Sequence, residues 1–301
     1  MYDVVIVGGG PAGLSAALML GRCRRRVLVC DEGRPRNSAS RALHGFLTRD
    51  GIPPLDLLAL GREELKAYAV EVRQTTVRTI ARRPGGFSVQ MDGGSVDATA
   101  VLLATGVKDR VPDIPGAAEC YGTSVHHCPY CDGWEFRDRR IAVVGSGTSP
   151  AGLALSLRTW TDAITACTNG VRLKALHRDQ LERHDVAVRP GRIERLDHED
   201  GWVRRVVFRD GSTLDCDAVF FTGPQHQQCE LAQTLGCEFN RKGTVSTDLL
   251  GKTCVRGVYV VGDASRDVQF AIVAAAEGAK AAVGINKDLQ EMSGLALRRS
   301  A

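Results

Sequence analysis

The clearest chemical spacing in the sequence belongs to Cys128 and Cys131, which are separated by a proline and a tyrosine. Thiols two residues apart can close a small-ring disulfide, whose redox potential depends on the intervening residues and on stabilisation of the thiolate. A zinc site is a second interpretation, because His126 and His127 adjoin the first cysteine, but no second Cys-x-x-Cys completes a ligand set. A structural disulfide, or a pair of unused thiols, is a third. The spacing favours redox chemistry.

A glycine-rich turn near the start of the chain predicts a nucleotide-binding site. Residues 3–7 form a short β-branched run, Gly-Gly-Gly-Pro-Ala-Gly follows at 8–13, and an apolar helical stretch leads to a second apolar run at 27–31. This order of strand, glycine turn, helix and strand, with an acidic residue 18 positions after the last glycine, is the dinucleotide-binding fingerprint.

Each glycine of this fingerprint has a separate physical role. Gly8 permits the tight turn, Gly10 lets the backbone approach a pyrophosphate, and Gly13 allows the helix to pack closely on the strand. Asp31 is predicted to accept a hydrogen bond from a ribose hydroxyl, with the adjacent Glu32 as the alternative.

A second strand, glycine turn and helix begins at Ile141 and contains the run Gly145-Ser-Gly147. It departs from the fingerprint, because Pro150 stands where the third small residue is expected and residues 163–170 end in Thr-Asn-Gly. That ending supplies neither an acid for a 2′-hydroxyl nor an arginine for a 2′-phosphate. A working nicotinamide site and an inherited fold kept for packing are the two interpretations, and the sequence favours the second.

The remaining segments complete two nucleotide-binding folds. An apolar strand and small turn occupy 101–106, prolines mark a linker at 111–116, and a strand and turn at 257–263 precede an alanine-rich helix predicted over 268–284. We therefore predict the α/β fold class, with two Rossmann-like dinucleotide-binding domains of which the first is discontinuous.

The predicted domain boundaries follow from the positions of the two glycine turns. Residues 1–112 and 244–301 are expected to form the first, flavin-type domain. Residues 113–243 are expected to form an inserted NAD(P)H-type domain that carries the Cys-x-x-Cys.

Composition limits the classes of function. The chain has 301 residues, 44% of them hydrophobic, and its net charge of +4 is spread along the sequence, so we expect neither nucleic acid nor a membrane as partner. The basic cluster Arg22–Arg26 falls where the first helix should end and complements the helix dipole. A strand from the second residue leaves no room for a signal peptide, and we expect a cytoplasmic protein.

The order and spacing of these motifs resemble the low-molecular-weight thioredoxin reductases. Gly-Gly-Gly-Pro-Ala-Gly, Ala-Thr-Gly, Cys-Pro-Tyr-Cys-Asp-Gly, the second glycine turn and Val-Gly-Asp-Ala-Ser before a helix occur in that family's order over essentially the whole chain. The resemblance implies bound FAD, a redox-active disulfide in the second domain and a homodimer. The FAD-binding residues that it implies are Gly8, Gly10, Pro11, Ala12, Gly13, Asp31, Thr105, Gly106, Gly262, Asp263, Gln269, Phe270 and Ala271.

The resemblance also assigns roles around the disulfide. Cys131 is expected to be the flavin-proximal thiol, Cys128 the thiol that exchanges with the external substrate, and Asp132 the acid-base group. Asp132 could instead be only a turn residue before a glycine, and His127 is a second candidate base. Trp134 is expected to pack against the protein. The polar run 225–228 could line a ligand pocket or form a solvated loop, and we expect the loop.

Two departures from the family direct the functional prediction. Val268-Gln269-Phe270 replaces the usual Arg-Gln pair near the flavin ring, and Arg172 is the only cation near 168–170, where NADPH-dependent relatives carry a basic run. We therefore predict an FAD-dependent dithiol/disulfide oxidoreductase that serves an external thiol couple, a small dithiol or a thioredoxin-like protein, without NADPH. The alternatives are a conventional NADPH-dependent thioredoxin reductase and a flavin-binding interaction protein with a regulatory disulfide.

Overall fold

The computed structural model describes residues 1–145, 149–266 and 268–295, and these fall into two compact units. The first unit contains Met1–Ser38, Gly45–Lys108 and the part of the chain that follows from His226. The second unit contains Ala39–His44 and Asp109–Gln225. Gly147, predicted as part of the second glycine turn, lies outside the described residues, as does Asp267.

Helices and strands alternate except in two runs of consecutive strands, over residues 70–109 and 187–227. The first segment contains β1 (Tyr2–Val7), α1 (Pro11–Arg22), β2 (Val27–Asp31), α2 (Pro54–Leu65), β3 (Val70–Gln74), β4 (Val77–Arg83), β5 (Gly86–Met91), β6 (Gly94–Leu103) and β7 (Val107–Asp109). The middle segment contains α3 (Ala117–Cys120), β8 (Val125–His126), α4 (Pro129–Asp132), β9 (Ile141–Val144), α5 (Ser149–Leu157), β10 (Ile164–Cys167), α6 (Ala175–Arg183), β11 (Ala187–Arg189), β12 (Ile193–Glu199), β13 (Trp202–Phe208), β14 (Thr213–Asp215) and β15 (Ala218–Phe221). The last segment contains β16 (Gln225–Gln227), α7 (Leu231–Thr234), β17 (Val258–Val260), a 3₁₀ turn (Gly262–Ala264) and α8 (Ala271–Met292).

The first unit is built on a seven-stranded sheet in the order β3-β2-β1-β6-β5-β4, with β17 paired to β6. Strands β3, β2, β1, β6 and β17 run parallel, and β4 and β5 complete an antiparallel edge. The central strand β1 buries both of its faces, because Val4 and Ile6 pack against α1 and α8 while Val5 and Val7 pack on the opposite side. An apolar strand covered on both faces is what the run at 3–7 predicts.

The second unit repeats the same principle on a smaller scale. Its five strands are parallel in the order β11-β10-β9-β15-β8, and a three-stranded antiparallel sheet of β12, β13 and β14 lies beside them. The two faces of β9 contribute to different clusters of buried side chains, one containing Ala142 and the other Val143. The α/β class and the Rossmann-like character of the sheets are confirmed.

Residues 226–243 belong to the first unit, whereas the sequence places them in the inserted domain. The reason is burial: Leu231, Ala232 and Cys237 pack into the cluster that also contains Val77 and Ile80. The short stretch Ala39–His44 belongs instead to the second unit, where the Arg41 guanidinium lies 5.8 Å from the centre of the Trp202 ring. These associations join residues far apart in the sequence.

Two local expectations are corrected by the structure. The polar run after residue 224 begins with strand β16, which pairs with β7, and the Gln227 amide donates to the carbonyl oxygens of Gly243 and Ala264. It is a strand because its backbone pairs with β7, and the Gln227 side chain also holds it to neighbouring backbone. The alanine-rich helix starts three residues later than expected and continues to Met292. None of the helices in the described ranges has the length and apolar character needed to cross a bilayer.

Helix α8 approaches the first turn of α1 so closely that a side chain at Gly278 would collide with backbone. A Cβ atom placed on Gly278 would lie 2.0 Å from the Ala12 carbonyl oxygen. We expect Gly278→Ala to lower the free energy of unfolding by about 1–3 kcal/mol, because the two helices must move apart. Urea unfolding followed by circular dichroism measures this change.

Gly152 in α5 provides the matched control, because a Cβ atom there meets no neighbour within 4 Å. Gly152→Ala should leave stability unchanged or raise it by up to about 1 kcal/mol, as expected for alanine in a helix. Equal effects of the two substitutions would contradict the proposed contact between α1 and α8.

Candidate active site

The first glycine turn has the shape that its three roles require. Gly8 has a φ of +107°, and a Cβ atom there would lie 2.3 Å from the Ala104 carbonyl oxygen, so only glycine fits. A Cβ atom on Gly13 would lie 1.9 Å from the Gly8 carbonyl oxygen, which shows how tightly α1 packs on the turn. A Cβ atom placed on Gly10, by contrast, would meet no atom within 4 Å outside its own turn, and this residue caps the amino end of α1 without a side-chain hydrogen bond. Open space therefore faces the uncapped helix end.

The parallel strands bring several predicted residues to this same edge of the sheet. Strand β1 is paired with β2 and β6 so that Val7 aligns with Cys30 and Leu103. Gly8, Thr105 and Gly106 lie in the turns that follow β1 and β6, and Asp31 is the last residue of β2. Strand β17 ends beside β6 and leads into the turn that contains Gly262 and Asp263. Strand polarity therefore assembles residues that are far apart in the sequence.

Asp31, and not Glu32, faces the glycine turn. A Cβ atom on Gly9 would lie 2.6 Å from the Asp31 carboxyl carbon, whereas Glu32 pairs with Arg34. Arg62 of α2 donates to Asp31 Oδ2 at 2.7 Å. No spacing in the sequence indicates Arg62, because it lies 31 positions after Asp31, beyond the long connection between β2 and α2.

A second cation missed by sequence reasoning joins two of the predicted residues. Arg36 Nη1 donates to Asp263 Oδ2 at 2.7 Å and to Gln269 Oε1 at 2.8 Å. The Arg36 side chain is only 17% exposed. Gln269 and Phe270 immediately precede α8, which begins at Ala271. Arg36 therefore fixes the end of the Gly-Asp turn relative to the start of the last helix.

In the second unit, Cys128 and Cys131 form a disulfide. Cys128 caps a single-turn helix, α4, and its carbonyl oxygen accepts hydrogen bonds from the backbone N–H groups of Cys131 and Asp132 at 3.2 and 3.3 Å. Pro129 occupies the first helical position, where a proline costs no backbone hydrogen bond. Both cysteines are partly accessible. A helical turn is the local reason why two thiols three positions apart meet.

The sequence predicts that Trp134 packs against the protein, but its side chain is 63% exposed. The space beneath the turn is already filled by Trp160, since a Cβ atom on Gly133 would lie 2.8 Å from its indole ring. The Arg137 guanidinium lies 4.4 Å from the centre of the Trp134 ring, a cation–π contact. Tyr130, inside the Cys-x-x-Cys, is exposed as well and packs edge-on to Trp160.

The two histidines before the disulfide have different surroundings. His126 is buried, and its Nδ1 lies 3.2 Å from Asp132 Oδ1. His127 is 31% exposed on its side chain; its Nδ1 lies 3.3 Å from the Tyr121 hydroxyl and its Nε2 lies 3.9 Å from Asp109 Oδ1. The sequence places both histidines beside Cys128, but only the fold separates them into a buried and an accessible group.

His127 also lines a cavity of about 190 Å³ in the second unit. The cavity lies where β15 ends, and its wall includes Asp109, Arg110, Phe221 and Gln225. Gln225 donates to Asp109 Oδ1 at 2.8 Å and so orients that carboxylate. The residues around the cavity combine charged, amide and aromatic side chains.

The segment after β10 lies near one more arginine than its sequence indicates. Asn169 Oδ1 accepts a hydrogen bond from the backbone N–H of Ile193, and the buried Thr168 hydroxyl has no partner among the described residues. Arg192 lies against Gly170, where a Cβ atom would be 2.8 Å from the arginine Cγ. Arg172 is therefore joined in this region by a second arginine that folding brings from the next connection.

The other eight cysteines are free thiols, and burial divides them by reactivity. Burial raises the pKa of Cys30 to about 11, and the pKa values of Cys167 and Cys216 to about 12. These thiols therefore stay protonated in neutral and mildly alkaline buffer, and iodoacetamide, which reacts with thiolates, should leave them unmodified. The exposed Cys23 and Cys254 should be modified.

Peptide mapping by mass spectrometry measures this pattern, with the same reaction in guanidinium chloride as the control. All thiols should react once the chain is unfolded. Modification of Cys167 in the folded protein at the rate found for Cys254 would contradict the burial seen in the structure.

Comparison with known proteins identifies the family. Residues 2–278 match the pyridine nucleotide-disulphide oxidoreductase family. The chain is 32% identical to the "Probable thioredoxin reductase" of Arthroderma benhamiae, over 96% of this chain and 81% of that protein. It is 30% identical to the thioredoxin reductase of Treponema pallidum, over 93% and 95% of the two chains. The crystal structure of HlmI matches with a TM-score of 0.94 at 36% identity, covering 97% of this chain and 94% of that one. The chain therefore belongs to the pyridine nucleotide-disulphide oxidoreductase family and is a thioredoxin reductase-like flavoprotein oxidoreductase.

Proposed function

We propose that this protein is an FAD-dependent dithiol/disulfide oxidoreductase in which Cys128 and Cys131 pass electron pairs to and from an external thiol couple. The observation that carries the proposal is the disulfide itself, which closes across a single helical turn and stays partly accessible. Asp132 ends that turn with its side chain 21% exposed and so available for proton transfer, and the exposed Tyr130 and Trp134 lie between and after the two cysteines. The homodimer that the resemblance implies stays a prediction.

The residues of the first glycine turn fit FAD. Gly10 leaves open space before the uncapped amino end of α1, where backbone N–H groups and the helix dipole favour a pyrophosphate. Asp31 would hold the adenosine ribose, and Asp263 would hold the ribityl or phosphate part with Arg36 as its neighbour. Gln269, Phe270 and Ala271 would lie against the ring. FAD, when bound, supplies a two-electron partner for the cysteine pair.

The thiol chemistry follows from the positions of the two sulfurs. A substrate thiolate attacks Cys128 Sγ, the Cys128–Cys131 bond breaks, and Cys131 leaves as a thiolate. The second substrate thiol then displaces Cys128, so the substrate becomes a disulfide and the cysteine pair gains two electrons. Asp132 holds or delivers the proton exchanged at Cys131 Sγ. With oxygen as the final acceptor, the overall reaction converts a dithiol and O₂ into a disulfide and H₂O₂.

A donor other than NADPH is supported by the end of β10. Asn169 is already used to hold the backbone at Ile193, and no carboxylate follows the strand to read a ribose hydroxyl. The conventional NADPH-dependent reductase remains the second candidate, because Arg192 beside Gly170 adds a cation to Arg172 and because similar proteins are named thioredoxin reductases.

Anaerobic titration of the flavin-loaded protein distinguishes these candidates. We expect dithiothreitol to bleach the visible flavin absorbance, because electrons enter through Cys128 and Cys131, and we expect NADPH and NADH to leave it unchanged. Cys131→Ser and Cys128→Ser should abolish bleaching by the dithiol while FAD stays bound.

The contrary outcomes are equally informative. Rapid bleaching by NADPH would establish the conventional reductase. If the flavin is bound and neither donor bleaches it, the remaining candidate is a flavin-binding interaction protein with a regulatory disulfide. Bleaching by dithiothreitol at the wild-type rate in the Cys131→Ser variant would exclude the proposed route of electrons.

FAD binding has its own test in two arginines that stand two positions apart. Arg36 links Asp263 and Gln269, whereas Arg34 is 75% exposed and pairs with Glu32 at the surface. Arg36→Met should raise the dissociation constant of FAD about 10- to 100-fold, which corresponds to the roughly 1.5–3 kcal/mol typical of a hydrogen bond to a charged group.

Arg34→Met is the control and should leave the FAD dissociation constant nearly unchanged, as expected for a surface ion pair. Recovery of free-flavin fluorescence on dilution measures both constants without any turnover. Equal FAD affinity in the two variants would show that Arg36 does not organise the cofactor site.

A further inference from the structure

We propose that His126 is a positioning residue that orients the Asp132 carboxylate toward the proton exchanged at the cysteine pair. This inference rests on the proposed function, because Asp132 acts there as the acid-base group. The observation that suggests it is the 3.2 Å approach of His126 Nδ1 to Asp132 Oδ1, between a strand and a single-turn helix.

The surrounding structure gives the His126 ring one position. His126 ends β8 and aligns with Phe220 of β15 in the parallel sheet. Its side chain is 5% exposed, and the centres of the Phe136 and Phe220 rings lie 5.3 and 5.5 Å from the centre of the imidazole. A ring packed between two aromatic side chains cannot follow a mobile carboxylate. The histidine therefore imposes its geometry on Asp132, which is the more exposed partner.

The nitrogen of the ring that has no hydrogen-bond partner indicates which nitrogen carries the proton. Nε2 of His126 is buried and has no hydrogen-bond partner among the described residues. A proton on Nε2 would be a buried donor without an acceptor, and a doubly protonated ring would add a buried charge. The neutral ring with its proton on Nδ1 avoids both costs and keeps an N–H group, not a lone pair, beside Asp132 Oδ1, which lies 3.2 Å from Nδ1.

The two carboxylate oxygens of Asp132 then have different roles. Oδ1 faces the imidazole, which stabilises the carboxylate and sets its plane. Oδ2 is then the oxygen that exchanges a proton with Cys131. His126 itself makes no proton transfer to solvent, because its far nitrogen is enclosed. This role differs from that of His127, which faces the Tyr121 hydroxyl and Asp109.

Two amide substitutions test this geometry, because each one mimics a different ring nitrogen. The amide of asparagine reaches the place of Nδ1, whereas that of glutamine reaches the place of Nε2. In the flavin-loaded protein, His126→Leu should slow reduction by dithiothreitol about 10- to 100-fold. This loss is smaller than the full effect of a general acid-base group, because Asp132 is still present. The half-saturating dithiol concentration should change little. His126→Asn should recover most of the rate, and His126→Gln should resemble His126→Leu.

A double-mutant cycle with Asp132→Asn separates positioning from a general effect on packing. If His126 acts through Asp132, adding His126→Leu to Asp132→Asn should slow the reaction no further. Stopped-flow absorbance measures flavin reduction, and alkylation after acid quenching counts reduced cysteines by mass without relying on the flavin. Circular dichroism and FAD content verify folding, and His126→Gln, which keeps a polar side chain, replaces His126→Leu if the latter fails to fold.

Each outcome has one meaning. Rescue by asparagine with non-additive double substitution supports the positioning role. Wild-type rates in both the leucine and the glutamine variants, equal impairment of the asparagine and leucine variants, or additive effects in the cycle would overturn it. A wild-type protein that dithiothreitol cannot reduce would instead contradict the proposed function.

Discussion

Close backbone contact around the first turn of α1 is the constraint on which the first unit depends. On one side, a Cβ atom at Gly13 would lie 1.9 Å from the Gly8 carbonyl oxygen, and on the other side, one at Gly278 would lie 2.0 Å from the Ala12 carbonyl oxygen. Helix α1 is thus held between the strand turn and α8 by surfaces without side chains. Because the contacts are backbone to backbone, the amino end of α1 has a fixed direction, and Gly10 keeps the space before it open.

The second unit holds two thiols together and leaves them accessible. A single helical turn with proline at its first position brings Cys128 and Cys131 into a disulfide. Trp160 fills the space beneath the turn, so the aromatic side chain of Trp134 stays outside. The turn is supported from below by packed rings and exposed above, which is the arrangement that thiol exchange with an external partner requires.

Burial separates the cysteines that can react from those that only pack. The pKa values of Cys167 and Cys216 rise to about 12 because both thiols lie in the apolar interior of the second unit. A protonated thiol is a poor nucleophile and behaves there as a small apolar side chain. The chain can therefore carry many cysteines without competing disulfide exchange at its buried positions. Burial also fixes the position of the His126 ring, which lies beside Asp132.

The sequence by itself determined the features that depend on near neighbours along the chain. Strand, glycine turn and helix follow from local patterns, the Cys-x-x-Cys spacing follows from one helical turn, and together they predicted the α/β class and the thioredoxin reductase resemblance. Tertiary structure alone decided which distant side chains meet these motifs. Arg36 reaches Asp263 across 227 positions, Arg192 reaches Gly170 from another connection, and residues 226–243 join the first unit through buried contacts. The spacing of motifs along the chain does not predict these contacts, because strand order and side-chain packing determine the partners, and both depend on the whole fold.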